Sequence, residues 1–294
     1  MLRTTAAEKV AVLGDLSGHV VPLLRELTKL GIEFDHPTQP SRVVTWPQDL
    51  AVIQVGDLVH KGPHSELAVA LVHDLLVPTG RWIQLLGNHE SQYLDRGIHF
   101  WDPKIDPKVV PALRQMWDTG EMVPAAAVVA DDGATTVVTH AGVAPHVVDA
   151  VAHDLGRAPT GVEVVAALGD DTDGYLVFTP GMMAGRPHPP GVIWTEPRAE
   201  LRLPWLSPHR PGLPLAFHQV HGHAQPLLYS GPRKPLRLPA ELAATTHVEP
   251  GTGHVITEVA TDGGIRRIVG IDPGATDKRA AAPRPLLLTG TVHW

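Results

Sequence analysis

The sequence has no cysteine among its 294 residues. This absence excludes disulfide bonds, thiolate metal sites and cysteine nucleophiles. The chain also lacks the G-x-S-x-G turn that presents a nucleophilic serine in many hydrolases. Any metal ligand or catalytic group must therefore be sought among oxygen and nitrogen donors, and the 18 histidines make imidazole an abundant one.

Charge and long apolar runs are also scarce. Charged residues make up 19% of the chain and the formal net charge is −7. No general affinity for nucleic acid or for an anionic membrane is therefore expected, although the net charge does not exclude a small basic pocket. No apolar run of about 18 residues predicts a membrane span, and the segment before Asp15 has no secretory pattern. These features predict a cytoplasmic protein that has no nucleic-acid or membrane partner.

Short apolar runs alternate with segments of helical periodicity in the first half of the chain. The runs KVAVLG (9–14) and LAVIQV (50–55) predict buried strands. Between them, leucines follow helical spacing from Leu23 to Leu30, and Gly31 stands where a helix commonly ends. This strand–helix–strand order predicts the α/β class.

No linker or internal repeat divides the chain, so we expect a single domain. Its core is predicted over about residues 9–275, and a weakly ordered C-terminal tail over about residues 276–294. In the second half, GVIWTEP (191–197) is also predicted to be a strand because of its apolar run.

Polar residues follow five short apolar runs that predict strands, found in VAVLGD, AVIQVGD, IQLLGNHE, TTVVTHAG and HQVHGH. In α/β folds, the carboxyl ends of the strands are where sites form, and a glycine before most of these residues lets the chain turn sharply there. A set of oxygen and nitrogen donors without sulfur suits Mn, Fe or Zn better than Ca. The alternative is that each residue is an isolated cap or turn residue, but burying five unpaired polar groups at one sheet edge is unfavourable. The five residues are Asp15, Asp57, Asn88, His140 and His223.

The ordered blocks GD, GDLVHKGP, GNHE, THAGVAP and HGHAQP resemble the calcineurin-like metallophosphoesterase superfamily. GNHE, HAGVAP, VIWTEP and GIDPGA are most similar to its branch of phosphoprotein phosphatases and diadenosine-tetraphosphatase-like enzymes. The resemblance runs from about residue 10 to about residue 275. It implies a four-layer α-β-β-α sandwich, in which two mixed β-sheets are flanked by helices. It also implies two metal ions that act on a phosphate ester or anhydride through a metal-bound hydroxide.

The resemblance also implies roles for individual residues. Asp57 would bridge the two metals, Asp15 would belong to one site, and Asn88, His140 and His223 would complete the other. His89 would be the general acid that protonates the leaving oxygen, so His89 and Asp57 are the predicted catalytic residues. Lys61 and Asn88 are the predicted phosphate-binding residues. Divalent ions, one or two per chain, are the implied cofactors, with Mn²⁺ expected first and Fe or Zn as alternatives.

Three positions depart from the family pattern. Where GD-x-H-G places a histidine ligand, this chain has Ser17, and a neutral hydroxyl is a much poorer ligand. Two alternatives are open: His19 or His221 replaces the missing ligand, or the metal site that contains Asp15 (the first site) is weak. Where GD-x-x-D-R-G places an aspartate and an arginine, this chain has His60 and Lys61. His60 cannot stabilise an imidazolium as a carboxylate does, and Lys61 carries charge without the arginine's two-pronged geometry.

Two functions follow from these features. The first is a metal-dependent phosphoesterase that hydrolyses a phosphomonoester or a nucleotide phosphoanhydride, with a small molecule or a phosphoprotein as substrate. The alternative is a catalytically weakened relative that binds phosphate, nucleotide or a partner protein. The intact set of ligands around Asp57 favours the enzyme. His19, His60 and His221 are predicted auxiliary positions.

Overall fold

A computed structural model describes residues 2–171, 174–182, 185, 188–207, 212–224, 238–272 and 284–294. Within these residues, no helix is both long enough and apolar enough to cross a membrane. The strands are β1 (Thr4–Leu13), β2 (Glu33–Phe34), β3 (Val43–Thr45), β4 (Leu50–Gln54), β5 (Trp82–Leu85), β6 (Met122–Val123), β7 (Ala125–Val129), β8 (Thr135–Thr139), β9 (His218–His221), β10 (Thr246–Val248), β11 (Val255–Thr261), β12 (Gly264–Gly270) and β13 (Leu286–His293).

The α-helices are mostly short, and several are extended by turns of other helical types. Residues Leu71–Leu76 and Pro197–Arg202 are π-helical, and Val77–Thr79 and Pro107–Val109 form 3₁₀ turns. The α-helices are α1 (Val20–Lys29), α2 (Ser65–Ala70), α3 (Asn88–Ser91), α4 (Val110–Asp118), α5 (Pro145–Leu155), α6 (Gly161–Gly169), α7 (Tyr175–Phe178), α8 (Leu203–Leu206) and α9 (Ala240–Thr245).

Helix α1 illustrates how the sequence pattern produces the layers. Its buried positions include Leu23, Leu24 and Leu27, which share one face because of the 3.6-residue helical period. They pack in one cluster with Ala11 and Leu13 of β1. The helix ends at Lys29, and Gly31 follows with φ of +90°. The predicted helix and its glycine terminator are confirmed.

The strands form one mixed sheet in the order β10-β11-β12-β9-β8-β7-β13-β1-β4-β5-β6, apart from the separate pair β2-β3. β1, β4, β5 and β6 are parallel. β13 is antiparallel to both β1 and β7. The mixed α/β class predicted from the sequence is confirmed, and the two expected sheets are joined through β13 by hydrogen bonds.

This sheet folds back on itself. β5 and β8 lie five places apart in the strand order, which in a flat sheet would separate them by roughly 24 Å. Yet Asn88, just after β5, lies 3.1 Å from His140, just after β8 (Oδ1 to Nε2). Valines such as Val10 and Val138 share an inner apolar cluster, while alternate residues such as Ala11 pack in the cluster that contains the helices. The two halves of the sheet therefore face each other, with helices outside.

The prediction of a weakly ordered C-terminal tail was wrong for its last part. Leu286–His293 form β13, the strand that joins the two halves of the sheet, and Val292 is fully buried. The partners of β13 lie far away along the chain, so no local pattern indicated that the segment is paired. Residues 276–283 lie outside the described residues.

The strand predicted over GVIWTEP (191–197) was also wrong. Residues 192–194 form a turn, and a π-helical segment begins at Pro197. The apolar run is buried here because it lies beneath the loop that follows β8, where the Ala141 N–H donates to the Val192 carbonyl. Burial of this run needs no strand partner.

We predict that β13 stabilises the whole sheet through its inward-facing side chain. Val292→Ala should lower the free energy of unfolding by about 2 kcal/mol, because it removes buried methyl groups and leaves a cavity. Leu287→Ala on the same strand, where the side chain is 58% exposed, should change it by less than about 0.5 kcal/mol. Urea unfolding of both variants measures the difference, and equal effects would contradict this role for β13.

Candidate metal centre and catalytic site

Four of the predicted ligands meet around one imidazole nitrogen. His140 Nε2 lies 3.1 Å from Asn88 Oδ1, 3.1 Å from His223 Nδ1 and 3.3 Å from Asp57 Oδ1. These residues follow β8, β5, β9 and β4, whose carboxyl ends the folded sheet brings together. Asp15, after β1, joins them: it, Asp57 and His140 each offer a donor atom within 4.8 Å of the others. All five residues predicted from the strand ends therefore occupy one cluster.

The backbone orients His140 so that its Nε2 is available to a metal ion. Its Nδ1 lies 2.8 Å from the carbonyl oxygen of Val55, which can only accept a hydrogen bond, so Nδ1 carries the proton. The lone pair is then on Nε2, which faces Asp57 and Asn88. Burial lowers the pKa of His140, so the ring stays neutral. A neutral imidazole held by a carbonyl is the arrangement in which histidine binds metals.

Asp15 has an oxygen atom without a protein partner. Its Oδ1 accepts the His223 N–H at 2.9 Å, whereas Oδ2 is buried and makes no hydrogen bond within the described part of the chain. Burial, and then the charges of Asp272 and Asp57, raise the pKa of Asp15 well above its usual value. A cation beside Oδ2 would remove this penalty. The donor set and the unpartnered oxygen fit a divalent metal ion.

Asp57 is fully buried and is surrounded by donors. Lys61 Nζ lies 3.2 Å from its Oδ2, and the His89 N–H donates to its Oδ1 at 3.1 Å. Burial would raise the pKa of Asp57, but the nearby His89, His140 and Lys61 lower it far below the usual value. Asp57 is therefore a carboxylate, the form that binds metals.

Backbone strain is concentrated at the same place. Among the described residues, the non-glycine residues with positive φ are Ser17, Asp57, His60, Lys61 and His223. Left-handed backbone at such residues costs on the order of 1–3 kcal/mol each, and it persists only where surrounding contacts enforce it. All five belong to the loops that build this cluster, so the fold holds these loops in one strained geometry.

Glu90 supplies much of that constraint. Its buried carboxylate accepts N–H groups from Asp57 at 2.7 Å, Gly87 at 3.1 Å and Val59 at 3.1 Å. Burial, and then the charge of Asp57, raise the pKa of Glu90 to about 8, whereas the three N–H groups act to lower it. All three neighbours are donors, so the geometry requires an acceptor at both oxygens. Glu90 thus ties the loop after β4 to the loop after β5, as expected for a structural role.

Ser17 occupies the position where the family pattern has a histidine, and its hydroxyl is buried without a partner in the described chain. Neither proposed replacement joins the cluster. The His19 Nε2 lies against Gly62, where an added Cβ would be 3.0 Å away. His221 bonds the Gly222 carbonyl at 2.8 Å through Nδ1, and its ring lies against Gly270. Asp15 and Asp57 form a candidate metal-binding group with His140, and neither His19 nor His221 belongs to that group.

His89 and His60 form a buried pair beside the cluster. Their Nδ1 atoms are 2.6 Å apart, and His89 Nε2 lies 3.7 Å from Asp57 Oδ2. Burial lowers the pKa of His60 to about 4 and that of His89 to about 4. His60 Nε2 also contacts the Tyr93 hydroxyl at 2.7 Å and Gln92 Nε2 at 3.1 Å. The sequence analysis missed Gln92 and Tyr93, although Tyr93 follows His89 by four residues, a helical spacing that places both on one face.

We predict that Glu90 stabilises the protein through its three N–H contacts. Glu90→Gln places a donor group against backbone donors, so it should lower the free energy of unfolding of the metal-free protein by about 2 kcal/mol. Glu8→Gln, at an exposed position of β1, is the matched control and should have almost no effect. Denaturant unfolding of both variants tests this, and no loss in Glu90→Gln would contradict the role.

Two solved structures resemble this chain at low identity. A protein serine/threonine phosphatase from Saccharomyces cerevisiae with similarity to human phosphatase PP5 is 18% identical, with a TM-score of 0.31; the match covers 47% of this chain and 39% of the yeast chain. A putative diadenosine tetraphosphatase is 15% identical, with a TM-score of 0.34 and coverage of 90% and 94%. No curated protein matches the sequence.

The sequence profile of the calcineurin-like phosphoesterases matches residues 8–223. This range begins in β1 and ends at His223, so it contains every strand end that contributes a residue to the cluster. It covers well over half of the 294 residues. The chain therefore belongs to the calcineurin-like phosphoesterase family.

Proposed function

We propose that this protein is a metal-dependent hydrolase of phosphate esters or anhydrides. The observation that carries the proposal is the convergence of Asp57, Asn88, His140 and His223 from four separate strands onto one point, beside the unpartnered oxygen of Asp15. Burying so many metal-ligating oxygen and nitrogen atoms side by side is unfavourable unless they bind a cation. A divalent ion, with Mn²⁺ proposed first, would supply Lewis acidity and an activated water.

The chain's own residues would divide the remaining tasks. Asp57, Asn88, His140 and His223 would hold the ion, and the Val55 carbonyl keeps His140 in the tautomer that can bind it. His89, with Nε2 directed towards Asp57, would face the bound phosphoryl group. The phosphate-binding role proposed for Lys61 agrees with its position 3.2 Å from Asp57.

Lys61 would act as a fixed positive charge next to the metal. Burial would lower the pKa of its ammonium group, but the carboxylates of Asp57, Asp15 and Asp272 outweigh burial and raise it. The charge therefore persists although the group is largely enclosed. Because Ser17 is a poor ligand, we propose one tightly bound metal per chain, with Lys61 providing the second positive charge for the phosphoryl oxygens.

The alternative function, a weakened relative that binds phosphate or nucleotide, draws on two of the same observations. Ser17 leaves the first metal position without imidazole, and His60 replaces the carboxylate expected next to His89. These changes are expected to lower the rate of hydrolysis more than the affinity for phosphate or nucleotide. Turnover of a phosphate ester therefore separates the two functions.

We predict that metal binding and hydrolysis depend on Asp57. The wild-type protein, purified without chelator, should bind Mn²⁺ and hydrolyse p-nitrophenyl phosphate. Asp57→Asn should lower kcat/KM by at least about 100-fold, since weaker changes around metal ligands already cost 10–100-fold. Asp154→Asn, on the exposed surface of α5, is the matched control. Metal binding without any turnover would favour the weakened relative, and no metal binding would overturn the proposed hydrolase.

We predict that Ser17→His restores the first metal position. Added imidazole beside Asp15 and Asp57 should raise the stoichiometry from one to two Mn²⁺ per chain and increase turnover of p-nitrophenyl phosphate. Isothermal titration calorimetry measures the stoichiometry. Ser207→His, at an exposed position, controls for non-specific binding by an added histidine. If neither stoichiometry nor turnover changes, the role assigned to Ser17 is wrong.

A further inference from the structure

The amide of Gln92 has a fixed orientation. Its Oε1 accepts backbone N–H groups from Phe100 at 3.3 Å and Trp101 at 3.2 Å. The amide nitrogen therefore faces His60, and it lies 3.1 Å from His60 Nε2. An amide nitrogen can only donate a hydrogen bond, so His60 Nε2 must be an acceptor.

The hydroxyl of Tyr93 is compatible with this assignment. Its hydroxyl oxygen accepts the N–H of Ile105 at 3.1 Å, and it lies 2.7 Å from His60 Nε2. Because the fixed amide of Gln92 makes His60 Nε2 an acceptor, the phenol can donate its proton to the same atom. His60 Nε2 therefore carries no proton.

The proton of His60 is consequently on Nδ1. This atom lies 2.6 Å from Nδ1 of His89, a distance that leaves room for one proton between the two nitrogens. His60 donates it, and His89 Nδ1 accepts. The neutral His89 ring then carries its own proton on Nε2, the atom 3.7 Å from Asp57 Oδ2.

Aromatic rings hold this pair in place. Trp101 stacks on His60 with ring centroids 6.2 Å apart, and Phe100 meets His89 edge-on at 5.1 Å. His60 is 5% exposed and His89 3% exposed, so water has little access to compete for these hydrogen bonds. The direction of the hydrogen bonds is therefore built into the packing.

A carboxylate at position 60 would act in the opposite sense. It would accept a hydrogen bond from the Nδ1–H of His89, and it would stabilise a doubly protonated ring that can give up its Nε2 proton. We infer that His60, oriented by Gln92 and Tyr93, makes His89 a hydrogen-bond donor rather than a proton donor, which restricts the enzyme to substrates whose leaving group departs unprotonated. This inference rests on the proposed phosphohydrolase function.

The chemistry of the leaving group follows from the balance of the reaction. Hydrolysis forms a bond from a water oxygen to phosphorus and breaks the bond to the leaving oxygen, which keeps the electron pair. The attacking water releases a proton to solvent. If His89 also gave its only ring proton away, it would become an unstable imidazolate. Aryl oxides and phosphate leave without a proton, so aryl phosphates and phosphoanhydrides are the favoured class, whereas alkyl esters such as phosphoserine are poor substrates.

The positioning role of His60 can be tested by NMR on the full-length, metal-free protein. Long-range ¹H–¹⁵N correlation spectra distinguish protonated from unprotonated ring nitrogens, and spectra of His60→Gln and His89→Gln identify the two rings. We expect His89 with a protonated Nε2 and a bare Nδ1. Tyr93→Phe should shift the His60 signals, while Tyr175→Phe, at a position 49% exposed, should not. A His89 ring protonated on Nδ1 and bare on Nε2 would overturn the inference.

Substrate selectivity gives the second readout. Wild-type protein with Mn²⁺ should hydrolyse p-nitrophenyl phosphate and pyrophosphate but barely hydrolyse phosphoserine. His60→Asp should raise kcat for phosphoserine relative to p-nitrophenyl phosphate by at least about tenfold, since a positioned general acid contributes 10²–10⁴. Unchanged selectivity in a His60→Asp protein that binds Mn²⁺ normally would overturn the inference. If this variant does not fold, the NMR result decides.

These outcomes are separable from failure of the proposed function. A wild-type protein that hydrolyses none of the three substrates would overturn the proposed hydrolase. The protonation state of His89 is read in the metal-free protein and does not depend on turnover. A bare Nε2 in an active enzyme would overturn only the role of His60.

Discussion

The buried carboxylates of Asp15 and Asp57 share one small region, and the surrounding structure is arranged to tolerate them. Asp57 receives hydrogen bonds from Lys61 and from the His89 backbone, while Asp15 keeps one oxygen without a protein partner. Two negative charges so close together in a low-dielectric interior are unfavourable unless cations lie nearby. Lys61 supplies one cation, and the geometry of Asn88, His140 and His223 is suited to binding another.

The loops that hold these groups together have strained backbone conformations, and specific contacts keep them in those conformations. The non-glycine residues with positive φ in the described chain all lie in these loops. Glu90 links two of the loops through backbone N–H groups. The folded sheet supplies the rest, because β13 joins its halves and brings the ends of β5 and β8 together. Site geometry and fold stability are therefore coupled.

The replacements at positions 17, 60 and 61 change the centre in a consistent way. In the proposed hydrolase, Ser17 would weaken one metal position, and Lys61 would place a fixed charge near it. His60 reverses the hydrogen bond to His89 that a carboxylate would make, and Gln92 and Tyr93 hold it in that state. Together they would give the proposed hydrolase a centre that depends less on a second metal and on proton donation, and more on the intrinsic stability of the leaving group.

The sequence by itself determined the fold class, the glycine-terminated first helix and the five residues at the strand ends, because these depend on local periodicity and on blocks of adjacent residues. Only the tertiary structure decided that Leu286–His293 is a central strand, that residues 192–194 turn, and that His19 and His221 stay outside the cluster. It also revealed Gln92 and Tyr93, whose importance depends on the direction of hydrogen bonds to His60. Strand partners and proton positions are set by contacts between segments distant along the chain, and no local pattern encodes them.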